Sequence, residues 1–425
     1  MSKDFHDFKQ LYDLEPYRKT AEVDVIYVEE LSKKDPQSGA RFKVLTSETV
    51  FYPEGGGQPG DTGVFVDLKN NKTYEVLDTR YDFKASDVEE ENPLIFHFLA
   101  EKISSDITIH QEIDWERRFT HSQQHSTEHI LAGLVHNKYE YMNVGFHLGK
   151  EYTTIDFDGP LSYKQMQEIV DQANNIIWQN NPIYINVYTA EEAKDMEYRA
   201  KIELNNLVRL IDIPNVDVCA CCGTHVKATG DIGLIICTNV EKYRNGVRIT
   251  FLAGTRAYQY VREQQEISNA LVQKLNQPYQ KLETGVQQLE NKVEELENII
   301  INTTDSLWKK VLNSTGNTGI IYIKEDIFSA KVLRNLFKTI EVPEDKSIVA
   351  FSEQKGNLTF FLFEPKEKFN SDESIFKLLK EEFSARGGGS NNLAQGQIPV
   401  QNSDVSIEDI VQKVADVLDT ELITI

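Results

Sequence analysis

Cysteine is scarce, with four in 425 residues, and three of them, Cys219, Cys221 and Cys222, crowd together beside His225. Neighbours that close do not make the disulfide framework of a small secreted domain. Long apolar runs are missing too. Nothing approaches the roughly 18 residues that a membrane-spanning helix needs, so no membrane segment is expected. The opening MSKDFHDFKQ is polar and has no signal-peptide apolar region. With free, clustered thiols, that places the chain in a reducing cytoplasm as an expectation. Positive charge is also in short supply. Lys and Arg number 45 against 67 Asp and Glu, a net charge of −22. This argues against charge-driven, non-specific binding along a nucleic-acid backbone, while leaving room for a local basic groove. Two catalytic signatures are absent as well. No Gly-Lys-Ser/Thr follows the glycine-rich stretch near residue 55, so it is not a Walker loop, and no His-Glu-x-x-His supplies a metalloprotease base.

What remains is ordinary globular composition, 40% hydrophobic and 26% charged, in a chain long enough for two to four domains. Its most informative stretch runs from His121 to Gly133, where His121, His125 and His129 recur every four residues before the apolar Ile130-Leu131-Ala132. On a helix, positions i and i+4 share a face with Cβ atoms about 5–6 Å apart, so two imidazoles can converge on one ion. Far downstream, Cys221 and His225 again stand four apart around Gly223. Two histidines plus a Cys and a His complete a tetrahedral set, and a nitrogen-and-thiolate mix suits Zn2+ best.

Along the chain, residues 1–109 read as short strands: 23–29, 41–46, 48–52, 64–66, 73–77 and 94–98. They are expected to form a small β-barrel or sandwich carrying the loop Pro53 to Gly63. Its glycines, Gly55, Gly56 and Gly57 among them, let backbone N–H groups approach a ligand oxygen; an ordinary flexible turn is the plainer alternative. Residues 110–258 read as an α+β domain holding the histidine helix. In it, 143–149 is expected as a loop, 152–158 as a strand, 162–180 as an amphipathic helix capped by Ser162, 183–188 as a strand, 190–200 as a helix, and 230–236 and 246–252 as strands. In 259–303, Leu275, Leu282, Leu289 and Leu296 stand seven apart, with Pro278 interrupting. That spacing gives either a helical hairpin or a coiled coil that makes a homodimer. Residues 304–425 read as a separate α/β domain, with strands at 319–323, 347–351 and 358–363, helices at 331–338 and 407–417, and a second glycine loop, Ala385 to Gly396. The expected fold class is therefore α+β: a β-barrel-like N-terminal domain, a zinc-binding α+β domain, a helical linker and a C-terminal α/β domain.

These motifs together resemble the alanyl-tRNA editing family, both its free-standing members and the editing part of alanyl-tRNA synthetase. His125-Ser126-Thr127-Glu128-His129 matches the family's His-x3-His. Cys221-Cys222-Gly223-Thr224-His225-Val226 matches its Cys-Gly-Gly-Thr-His-Val, with Cys222 in place of a glycine. The run Phe51 to Gly63 matches its glycine-rich motif, and Arg386 to Gly396 resembles the loop of the C-terminal domain in long members, with Ser390-Asn391-Asn392 where Arg, Pro and Asp are usual. The resemblance implies a zinc-dependent deacylase that hydrolyses the ester joining serine or glycine to alanine tRNA, as an editing protein without an aminoacylation domain. Zinc would acidify a water or act as a Lewis acid. The resemblance further implies metal ligands His125, His129, Cys221 and His225, with His121 a neighbour rather than a ligand. Substrate contacts fall at Gln58, Gly145, Phe146, His147 and Thr154, and tRNA contacts at Gly387, Gly388 and Gly389. Two basic clusters, Lys331 with Arg334 and Lys338, and Lys377 with Lys380 and Arg386, are further tRNA candidates. The competing reading is a tRNA-binding module with a structural zinc and no turnover.

Overall fold

The computed structural model describes residues 9–81, 94–200, 207–314, 316, 318–323, 342–354, 357–390, 392–399 and 406–424. The chain divides into two compact units, Met1–Ile267 and Ser268–Ile425. The architecture is mixed α+β. No helix among the described residues is long and apolar enough to cross a membrane.

The first unit begins with a closed six-stranded barrel. Its strands follow the order Thr20–Glu30, Phe42–Thr46, Ile95–Leu99, Thr73–Tyr81, Gly63–Asp67 and Thr108–Ile113, the last closing on the first. Period-2 alternation produces it: Ala21, Val23 and Val25 point inward while Glu22 and Asp24 face solvent. Val44, Phe51, Phe65, Val76, Leu99 and Ile109 fill the interior. Irregularities between Val25 and Tyr27 and between Val76 and Asp78 help the sheet curve shut. The strand expected over 48–52 shrinks to Glu48–Thr49. Side chains take the backbone that would have paired. The N–H groups of Val50, Phe51 and Tyr52 donate to Gln111 Oε1, Thr49 Oγ1 and Asp61 Oδ2. The chain is thus free to leave the barrel as the glycine loop.

Asp114 caps the next element, its Oδ1 accepting from Arg117 N at 3.0 Å, and the helix runs Trp115–Tyr139. This helix is polar in sequence yet buried over most of its middle, from His121 to Gly133. Such a helix stands only if its polar groups find partners. Against it packs an antiparallel sheet in the order Ile235–Tyr243, Gly246–Ala253, Thr153–Phe157 and Asn143–Leu148. A helix at Tyr163–Gln179 covers the core, its N-terminus closed by a reciprocal Ser162–Gln165 capping box. A three-stranded sheet, Tyr184–Thr189, Leu207–Ile213 and Asp217–Ala220, carries the cysteine loop.

Three expectations are corrected here. Asn143–Leu148 is a strand, not a loop, because it pairs with Thr153–Phe157. The helix expected over 190–200 stops at Ala190–Ala193. Beyond it, Arg199 is drawn into pairing with the cysteine-loop strand, its N–H donating to Val218 O and its carbonyl accepting from Ala220 N. In 230–236, a 3-10 turn at Thr229–Ile232 precedes the strand, which starts at Ile235.

In the second unit, Pro278 precedes a 3-10 turn at Tyr279–Lys281, and a helix then runs Leu282–Ser314. Leu289 and Leu296 of the heptad series are exposed on it. A six-stranded sheet follows in the order Arg386–Ser390, Leu393–Ile398, Asn357–Phe363, Ser347–Gln354, Thr318–Ile323 and Leu422–Thr424. The helix Ile407–Val417 packs Val411, Val414 and Ala415 on the core as its periodicity requires. Lys331 to Lys338 lies outside the described residues. The second glycine loop is corrected. Arg386–Ser390 is a strand paired in register with Leu393–Ile398. A Cβ at Gly387 or Gly389 would sit 2.2 Å from Gln395 O or 2.3 Å from Leu393 O. The glycines are the condition for this pairing rather than a break in it.

Candidate metal centre

His125 and His129 project from one face of the Trp115–Tyr139 helix, and Cys221 and His225 come from the loop after Asp217–Ala220. The fold brings the two halves together. Donor atoms of all four residues lie within 4.8 Å of one another. Ring centroids are 5.6 Å apart for His125 and His129, 4.7 Å for His125 and His225, and 4.9 Å for His129 and His225. Cys221 Sγ is 3.4 Å from His125 Nε2 and accepts from Gly223 N at 3.3 Å. A Cβ at Gly223 would fall 2.1 Å from His125 Cε1, so only glycine lets the loop close this far.

Each imidazole is held by its outer nitrogen. His125 Nδ1 lies 2.9 Å from Gln58 Oε1, His129 Nδ1 lies 3.1 Å from Asp217 Oδ2, and His225 Nδ1 lies 3.2 Å from Ser126 Oγ. Nε2 of His129 and of His225 are buried without a hydrogen-bond partner. His129 Nε2 also lies 3.6 Å from Glu128 Oε2. Ring nitrogens without a hydrogen bond close to a thiol, with every Nδ1 committed elsewhere, are what a metal requires of its ligands and of the shell behind them. The residues present therefore fit a metal ion.

The electrostatics of His225 and Cys221 agree with that fit, whereas His129 is held toward its charged form and would have to give up a proton to a metal. Burial pushes the His225 imidazole down to about 3, so the ring is neutral and can coordinate. Burial raises the Cys221 thiol, but His125, His129 and His225 outweigh it and hold the group well below its usual range. Burial depresses His129, and the Glu128 and Asp217 carboxylates more than reverse this. Asp217 is fixed in turn by both arms of Arg199, at 2.7 Å each. A second donor group, His129, Asp217 and Cys219, overlaps the first. Asp217 is already engaged by Arg199 there, which favours the set containing Cys221.

A family profile, the threonyl and alanyl tRNA synthetase second additional domain, matches residues 208–250, the segment that contains Cys221 and His225. The chain is 27% identical to the alanyl-tRNA editing protein AlaX-L of Pyrococcus horikoshii, over 94% of this chain and 98% of that protein. It is a relative of the alanyl-tRNA editing proteins. It is also 31% identical to the alanyl-tRNA editing protein Aarsd1-A of Xenopus laevis, over 57% of this chain and 56% of that one. Against an alanine–tRNA ligase of Saccharolobus islandicus it is 33% identical over 52% of this chain and 25% of the ligase. The chain thus spans about half of the Xenopus protein and a quarter of the ligase.

Among the editing-family positions carried over as substrate contacts, Gln58 is buried and fully used. Its Nε2 donates to Thr224 Oγ1 at 2.8 Å, while its Oε1 takes Thr224 N at 3.2 Å and faces His125. Phe146 lies over His125, with centroids 4.9 Å apart. Gly145 pairs with Asp156, and His147 sits directly across from Thr154, which is buried. His147 also lines a cleft of about 450 Å3 with Gly55, Gly56, Gly57, Gln58 and Arg80. The strand and the loop are stitched together by Leu148 N donating to Gly57 O at 3.2 Å. Gly387, Gly388 and Gly389 lie in the second unit on an exposed strand. Sequence reasoning missed Asp217, Ser126, Thr224 and Arg199. Asp217 and Thr224 flank the cysteines closely enough to have been noticed. Arg199 carries no local signal.

Proposed function

We propose that the chain is a trans-editing hydrolase that releases serine or glycine from mischarged alanine tRNA at a Zn2+ site of His125, His129, Cys221 and His225. The observation that carries this reading is the convergence of four donors, three buried imidazoles and the half-buried Cys221 thiol, beside a glycine-walled cleft, in a relative of editing proteins. When bound, zinc supplies Lewis-acid polarisation and activation of water. The chain's own residues do the rest. Gln58, Asp217 and Ser126 orient the three rings. The backbone of Gly55 to Gly57 can hold an ester oxygen, and an aminoacyl ester is activated enough for positioning to matter most. Thr154 or His147 would partner the serine hydroxyl, which discriminates strongly against alanine. In the second unit, Gly387 to Gly389 would contact tRNA, and the helical stretch would join two copies. A cytoplasmic location and division of the chain at residues 109, 258 and 303 belong to the same proposal.

A four-donor set also suits a closed, structural metal, which favours the tRNA-binding module as the second reading. Purified protein incubated with serine-, glycine- and alanine-charged alanine tRNA separates them. Release of serine or glycine, with alanine retained, supports the hydrolase. No release from any of the three, with about one zinc per chain, supports the module.

Gln58 gives a finer test. Removing a group behind a metal ligand typically lowers affinity about 10–100-fold. Gln58→Ala should weaken zinc by that order in competition with a chromophoric chelator. Unchanged affinity would mean that the His125 ring is held without it.

A further inference from the structure

One turn before the metal ligands, the same helix borders a second cleft, of about 240 Å3, lined by Asp114, Glu116, Arg117, Thr120, His121 and Arg256. Three of these residues each keep a buried side-chain nitrogen without a hydrogen-bond partner. His121 is 3% exposed and its Nδ1 has no partner. Arg117 Nε and Arg256 Nη1 are buried and equally unpartnered. Arg117 spends one arm on Gly60 O, at 3.2 Å. The Arg256 side chain makes no hydrogen bond or ion pair among the described residues. Burial and the nearby Arg117 both lower the Arg256 pKa. Burial, then Arg117 and Arg256, take His121 down to about 3, so its ring is neutral and can turn one N–H to an anion. Two guanidiniums and an N–H left unsatisfied at one spot are costly unless an anion completes them. The carboxylates nearby do not serve. Asp114 is committed as the helix cap, and Glu116 faces solvent.

We propose that this cleft holds a phosphodiester near the 3′ end of a bound tRNA. The proposal rests on the tRNA reading above. Guanidinium forks match phosphate oxygens in both charge and geometry. His121 lies four residues before His125, about 6 Å along the helix axis and on the same face. A phosphate held there sits beside the nucleotide whose ester must reach the metal centre. Two guanidinium nitrogens buried in one notch also let a chain of net charge −22 grip RNA without a basic surface.

The test is Arg256→Gln in the full-length zinc-loaded protein, because that side chain supports no described neighbour. Binding of fluorescent, uncharged alanine tRNA is followed over a salt series. Removing one charge-assisted hydrogen bond to phosphate should weaken binding on the order of ten-fold. The slope of log affinity against log salt should fall by about one. Zinc content and urea midpoint should match wild type. A tRNA trimmed of its single-stranded 3′ end should bind both proteins alike. Equal affinity and slope for the intact tRNA would overturn the proposal, as would a wild type that binds no tRNA. Inorganic phosphate bound by wild type and no longer bound by Arg256→Gln, with tRNA affinity untouched, assigns the cleft to free phosphate and overturns the RNA source. Binding of uncharged tRNA needs no turnover, so the readings can fail separately. A wild type that binds through Arg256 yet releases no amino acid defeats the hydrolase alone. Serine release with an indifferent Arg256→Gln defeats the phosphate site alone.

Discussion

Cys221→Ala is expected to strip the metal from the protein and to lower serine release from charged alanine tRNA by more than about 100-fold, the upper end of what loss of a supporting residue costs. Cys221 contributes the one thiol of the four-donor set, 3.4 Å from His125 Nε2. Without it, three buried imidazoles face one another with no thiol among them, and only His129 keeps carboxylates close by, Asp217 and Glu128. His129→Ala should behave alike. It also leaves the Asp217 carboxylate, held low in pKa against burial by His129 and Arg199, with Arg199 alone. Metal per chain by plasma emission and release of labelled serine are the two readouts. Cys222→Ala is the control. Cys222 is exposed and outside both donor groups, so both readouts should stay at wild-type values. Metal that survives Cys221→Ala and disappears with Cys219→Ala would move the site to His129, Asp217 and Cys219. Full serine release from a metal-free Cys221→Ala protein would end the metal-dependent reading.

The second large effect is on stability. Arg118 is fully buried, and Asp61 is its counterion. Arg118 Nε donates to Asp61 Oδ2 at 2.8 Å, Nη2 reaches the same oxygen, and Nη2 also donates to Val50 O at 2.8 Å. That oxygen also accepts from Tyr52 N at 2.8 Å. One carboxylate thereby ties the root of the glycine loop to the first turns of the histidine helix. Removing one partner of a buried pair leaves a charge stranded, at a cost of about 3–5 kcal/mol. Asp61→Asn should lower the urea midpoint of the first unit by a corresponding amount. The pair itself need not be a net gain. Arg118→Met combined with Asp61→Asn should recover part of the loss, because the stranded charge is gone. A double variant no better than Asp61→Asn alone would locate the cost in the Tyr52 and Val50 backbone groups instead.

The parts legible in the sequence are those written in local periodicity. Strand alternation from Ala21 onward, the Ser162 cap and the Ile407 helix emerge where expected, and the candidate donors spaced four apart do converge. The parts that escaped are set by groups distant in sequence. Gln58 is adjacent to nothing that announces His125, yet it spans 67 residues to hold it. Arg199 looks like the tail of an alanine- and glutamate-rich helix until the cysteine-loop strand claims its backbone. The stretches Asn143–Leu148 and Arg386–Ser390 mislead for a shared reason. Glycine reads as a loop former, whereas here it occupies paired strands whose partners approach closely. Arg117 and Arg256 are ordinary surface-type residues in the sequence, 139 positions apart. Only folding sets them against the same buried histidine.

The reach of Gln58 bears on how the centre comes into being. That single amide links residues 58, 125 and 224, and its bond to Thr224 closes a loop of 166 residues. Contacts of such long range form late in folding. During synthesis the barrel and the histidine helix leave the ribosome well before Cys221 and His225 exist to complete the donor set. The nascent protein therefore carries His125 and His129 with no thiolate to meet them. If the proposed metal binds, its capture would be a final step that locks barrel, helix and cysteine loop together, and its binding energy would count as folding energy.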